Sequence, residues 1–278
     1  MTVTELLHGV QAEIGGREIP DFYLKLNQEI RVLARKRRWR AFQATYEFDT
    51  VENYTDGTVS LVGGSDTVTG TDTTWTSAMI GRKLRVDGYL ASLTIESVPG
   101  ATSLVLDTEW PYDDEDDKTY SIFQDEYTLP DDFEAALSVW DIENNRYLDA
   151  IPYVDAHRYH SRLGSTSAIS PSQYSIWQGD TLILHHAPVS ETRLSLYYNR
   201  KPLRVTKADD ELDIPDYLQD LVQLAIRRVY LMRYAAEDES FLARARDLNA
   251  SMRDQFRVSA AMDNDKAPIL IRNERTNF

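Results

Sequence analysis

Between Gly57 and Gln124 the chain is a Thr/Val/Gly-rich block of short alternating runs, with amphipathic helical sequence on both sides of it. Period-two alternation buries one face of a strand and helical spacing buries one stripe of a helix, so the two patterns divide the chain into β and helical regions. The alternation predicts strands over Thr58–Val62, Asp66–Gly70, Lys83–Val86, Ala91–Val98, Ser103–Asp107 and Tyr120–Phe123. Gly63-Gly64, Gly81, Asp87-Gly88 and Pro99-Gly100 supply the turns between them. Strands this short and evenly spaced predict a small antiparallel sandwich or barrel. The acidic run Asp113-Asp114-Glu115-Asp116-Asp117 reads as a hairpin tip too charged to bury.

The flanks have a different period. Val3, Leu6, Leu7, Val10 and Ile14 define a first helix that Gly15-Gly16 ends. Ile19, Phe22, Leu26, Ile30 and Leu33 form the stripe of a second, running from Pro20 to Arg38. Asp213-Ile214-Pro215-Asp216 opens a third, to Arg233, with Leu218, Leu221, Val222, Ala225, Val229 and Met232 on one face. A fourth covers Asp238 to Val258, where Phe241, Ala245, Leu248, Met252 and Phe256 recur in steps of four and three. That is the stripe of a helix packing along a neighbour.

From Glu126 to Arg200 the sequence is again β-rich, with strands expected at Ala136–Trp140, Gln173–Gln178, Thr181–His185 and Arg193–Arg200. A short helix over Pro152–His160 and a Ser/Thr-rich loop over Gly164–Pro171 interrupt it. The expected fold class is therefore α+β. Residues 1–45 and 201–258 make a helical domain, 46–125 an inserted small antiparallel β-sandwich or barrel, 126–200 a second β-rich segment joined to the helices, and 259–278 an extended tail. A sheet inserted between helical ends that pack together suits an assembly subunit better than a substrate-enclosing enzyme.

The net charge of −15 bears on partners. Gripping nucleic acid takes a basic footprint that displaces counterions from phosphates, and this chain repels DNA overall. Cys is absent, which removes disulfides, thiol catalysis and zinc–thiolate sites and fits synthesis in a reducing cytosol. No apolar run approaches the roughly 20 residues that span a bilayer, and Met1–Glu5 lacks the basic and apolar regions of a signal peptide. No membrane partner is expected.

Two segments stand out as partner sites. Arg31, Arg35, Lys36, Arg37, Arg38 and Arg40 crowd the end of the second helix. They complement the helix dipole or meet DNA or an acidic protein surface, and the bulk charge favours the protein. Ala267-Pro268-Ile269-Leu270-Ile271-Arg272 is a β-prone apolar stretch in a polar tail. Alone it gains too little burial to order, so it is either a frayed terminus or a strand or groove ligand for another chain.

Other candidates are weaker. The acidic run lacks the spacing of an EF-hand loop. His157 and His160 lie three apart with no third ligand near, and His185 and His186 point to opposite faces of a strand. Acidic pairs such as Glu96 and Glu109 arise by chance among 45 carboxylates. No phosphate loop or nucleophile elbow is present, so no cofactor, metal or catalytic residue is expected.

Several runs together carry a family resemblance: Gly57-Thr58-Val59-Ser60, Val68-Thr69-Gly70, Thr74-Trp75, Met79-Ile80-Gly81-Arg82 and Leu84-Arg85-Val86. Ile95–Val98, Ser103–Asp107, Tyr120-Ser121-Ile122, Tyr127–Phe133 and the helix start Asp213–Tyr217 extend it over most of the chain. The chain resembles the head-to-tail adaptor, or connector, proteins of tailed bacteriophages. The resemblance implies a non-enzymatic virion subunit of the head–tail junction. It would form a homo-oligomeric ring, dodecameric in most members, beneath the portal protein. The ring would extend a channel through which DNA passes without specific binding, and would carry a downstream tail, nozzle or stopper protein. On this reading Arg35, Lys36, Arg37, Arg38 and Pro268–Arg272 meet the portal or another partner, and Phe241, Leu248, Met252 and Phe256 lie between subunits. The alternatives are another tail or fibre-attachment protein and a virion-associated peptidoglycan hydrolase.

Overall fold

The computed structural model describes residues 2–154 and 171–265. They fall into two compact units, one holding the chain up to Ala44 and again from Asn199, the other holding Thr45–Tyr198.

The first unit is built on four α-helices, α1 (Val3–Glu13), α2 (Phe22–Lys36), α3 (Asp216–Tyr234) and α4 (Glu239–Asp265). Thr2 starts α1 with a capping box, its hydroxyl accepting from Glu5 N at 3.2 Å while Glu5 accepts from Thr2 N at 2.8 Å. Gly15 and Gly16 then turn the chain at positive φ. Val3, Leu6, Val10, Leu26, Ile30, Leu218, Leu221, Ile226 and Tyr230 form one buried cluster. The stripe of α3 is rotated from its sequence expectation: Tyr230 and Leu231 are buried, and Met232 is 49% exposed.

Two polar clamps hold the entry to α3. Asn27 bonds both the N–H and the carbonyl of Val205, at 2.9 and 2.7 Å. Arg200 forks onto Asp213 with Nη2 3.0 Å from Oδ1, and Leu203 N–H adds a third bond. Burial alone would raise the Asp213 carboxyl, but the guanidinium and the N–H overcome it and hold its pKa below the usual value.

The second unit contains two seven-stranded sheets. The first comprises β1 (Gln43–Asp49), β9 (Glu126–Thr128), β10 (Phe133–Asp141), β11 (Arg146–Ala150), β12 (Gln173–Trp177), β13 (Thr181–His185) and β14 (Arg193–Arg200), in the order β1-β14-β10-β11-β12-β13-β9. β11 and β12 run parallel, pairing Asp149 with Gln173. The second sheet comprises β2 (Thr58–Leu61), β3 (Thr67–Thr71), β4 (Lys83–Val86), β5 (Ser92–Gly100), β6 (Ser103–Leu106), β7 (Glu115–Lys118) and β8 (Tyr120–Phe123), in the order β7-β2-β3-β6-β5-β4-β8. Alternate residues of β2, β4 and β6 (Val59, Leu61, Leu84, Val86, Leu104, Leu106) point into its core with Trp75, Trp110 and Ile122. Trp75 Nε1 donates to the Tyr120 hydroxyl at 2.9 Å, which donates to Asp56 O at 2.7 Å. No polar atom of that buried pair is wasted.

The expected fold class is corrected by this arrangement. The protein is mostly β, with two curled seven-stranded sheets and only four helices among the described residues, not a helical domain carrying a small inserted barrel. Two physical reasons account for the difference. Residues 126–200 are no accessory to the helices: their six strands join β1 in a complete sheet. The charged run read as a hairpin tip contributes β7, which pairs with β2 at the sheet edge, where one side of a strand faces solvent and charge is tolerated.

Candidate functional site

The helical unit carries an open groove of about 470 Å³ lined by α2, α3 and α4. Val32, Leu33, Leu221, Val222, Ala225, Met252 and Phe256 supply its apolar lining. Val32 is 47% exposed, a large aliphatic side chain left uncovered among the described residues. Lys36, Arg228, Arg253 and Arg257 contribute cations to the lining, against the single acid Glu29. The lining is therefore basic and apolar on a protein of net charge −15.

At one end of α2 the basic cluster divides into two kinds of residue. Arg37 is engaged within the chain: Nη1 donates to Ala260 O at 3.1 Å, and its guanidinium lies 5.3 Å from the Trp39 ring and 3.9 Å from Asp263. The Asp263 side chain is only 2% exposed and also accepts from Arg40 N at 3.1 Å and the Tyr217 hydroxyl at 2.7 Å. Burial first, and the Asp263 carboxylate second, raise the Tyr217 pKa. Arg35, Lys36 and Arg38 lie exposed on the surface. Arg37 thus ties α2 to α4, leaving its neighbours to present charge outward.

The α4 stripe also divides. Phe241 is 5% exposed in the unit's own core, with the Arg17 guanidinium 4.9 Å from its ring. Leu248 and Phe256 pack half-buried against that core, and Phe256 meets Trp39 edge-on at 5.3 Å. Met252 and Phe256 reach the groove. Pro268, Ile269, Leu270, Ile271 and Arg272, like His157 and His160, lie outside the described residues.

Sequence reasoning missed Asp263, because the apolar residues of the stripe stop at Phe256. The signal was present: the same helical period continues through Ser259 and Asp263, both buried, with Ser259 Oγ donating to Tyr217 O at 2.5 Å. A second missed group is the buried pair Ser175 and His185, 2.7 Å apart and each 1% exposed. Ser175 gives its proton to Ile151 O at 2.6 Å, so His185 Nε2 carries a hydrogen and donates to the serine. That arrangement leaves the imidazole unable to accept the hydroxyl proton at Nε2, and it braces β12 against β13. Among the described residues no group of three or more His, Asp or Glu is placed to hold a metal, and no helix is long and apolar enough to cross a membrane.

The helical unit carries an open, basic, apolar groove, and the other unit is built of short strands in two sheets. The model of the family described as SU10 adaptor protein matches residues 1–271, and the chain belongs to that family. It is accordingly a phage-related structural adaptor protein and a virion component. No curated protein matches it.

Proposed function

We propose that the chain is a head-to-tail connector subunit. Copies close into a dodecameric ring beneath the portal protein, extend the DNA channel, and form the platform for a downstream tail, nozzle or stopper protein. The observation that carries this reading is the groove of α2, α3 and α4, open among the described residues, in a chain whose residues 1–271 match a phage adaptor family. One such groove gives a modest interface, and ring closure multiplies it by the number of copies. The helical stripe residues Met252 and Phe256 serve contacts between subunits, and Lys36 and Arg38 meet the portal. The net charge of −15 keeps DNA from adhering as it passes.

Reversing Lys36 and Arg38 together (Lys36→Glu, Arg38→Glu) tests the basic contact, since both are exposed and the fold does not depend on them. Portal binding is expected to weaken about three- to tenfold, with a shallower dependence on salt. Unchanged affinity and unchanged salt dependence in a binding titration would remove these residues from the interface.

A further inference from the structure

We propose that β1 is the acceptor for a strand supplied by the tail of a second copy, Ile269–Arg272, which would extend the first sheet between neighbouring subunits. The inference rests on the reading of the chain as a ring subunit and names the contact that links one copy to the next.

Four strands end the two sheets, and three of them are poor acceptors. β9 has three residues. β8 is already bridged on Ile122, whose N–H and carbonyl both bond Tyr54 at 2.8 and 2.9 Å. β7 carries a register shift against β2 and a residue at positive φ, Asp117, irregularities that hinder an incoming strand. Among the described residues β1 has no such bridge and no residue at positive φ. It is seven residues long, contains no Pro or Lys, and buries none of its side chains. A long edge of this kind is a template for strand addition.

The side chains on β1 indicate what comes next to it. Ala44, Tyr46 and Phe48 share one face, where the Tyr46 and Phe48 rings stack at 5.8 Å. Thr45, Glu47 and Asp49 share the other, where Arg193 of β14 already pairs with Asp49 at 2.7 Å and Glu47 remains as the acid for an incoming cation. An incoming strand therefore needs apolar residues alternating with a cation. Thirteen residues follow α4, with Lys266, Arg272 and Arg275 against Glu274. Placing Arg272 on the face of Glu47 puts Ile269 and Ile271 beside Tyr46 and Phe48, because the period of a strand is two. Pro268, which lacks an N–H, stands just before the paired run. The same charges disfavour the groove of the helical unit, whose lining carries four cations.

Absence of native cysteine allows a direct test. Full-length chains with Glu47→Cys and differently tagged chains with Arg272→Cys are mixed, alone at high concentration and with portal, and treated with a short thiol cross-linker. Asn249→Cys, in the groove lining, replaces Glu47→Cys in the comparison. The expected result is an adduct between the two tags through positions 47 and 272, at least about fivefold above the 249–272 adduct. An equal or larger 249–272 adduct, adducts confined to one tag, or none at all would overturn the proposal. Rings that form with portal but give no 47–272 adduct defeat the strand alone. An adduct without portal-dependent rings defeats the connector reading and leaves the strand pairing standing.

Discussion

Trp39→Ala is expected to destabilise the helical unit by about 3–5 kcal/mol. Trp39 is 0% exposed, and three contacts converge on it. Its indole N–H donates to Leu33 O at 2.8 Å, one of the carbonyls that α2 leaves unpaired near its end. Its ring meets Phe256 of α4 and lies under the Arg37 guanidinium. Arg37 in turn reaches Asp263 and Ala260. Alanine therefore removes an aromatic body, a helix-end bond and the platform for a cation at once. Amide exchange should accelerate in α2 and α4 while the amides of the second sheet keep their protection. A loss under about 1 kcal/mol would mean that this junction holds little.

Gly57→Ala is expected to weaken the second sheet by about 2–4 kcal/mol. Gly57 sits at φ +78°, in the left-handed region, just before β2. A Cβ there would lie 2.2 Å from Thr71 O, an atom of the strand that β2 pairs with. Neither backbone can yield without loosening the β2–β3 ladder. Gly88→Ala provides the comparison, since Gly88 has φ +90° but open space around it. Gly88→Ala should show the conformational strain alone, roughly 1–2 kcal/mol. Equal effects at the two positions in thermal unfolding would contradict the packing argument.

What the sequence revealed depended on whether the information was local. β4 and β14 occupy the residues their alternation marks, because each has one buried face that writes its period into the chain, and β13 occupies its expected residues although both its faces are buried. The glycine signal Gly15-Gly16 set the end of α1 just as directly. The sheets themselves were not legible. β1 and β14 are neighbours in a sheet although more than a hundred residues separate them, and no local pattern announces that pairing. β7 was obscured because an edge strand tolerates Glu115, Asp116 and Asp117. The candidate site was half legible. The basic cluster and the α4 stripe were found, but Arg37 and Phe241 proved to serve the chain's own packing. Their partner atoms come from α4 and Arg17, positions that only the fold brings near.

The mass of the assembled particle tests the connector reading most directly. Purified full-length chain should run as a single copy in native mass measurement, and should give a dodecameric ring on each portal when portal is added. Rings that form without portal, or a chain that stays a single copy in its presence, would contradict it.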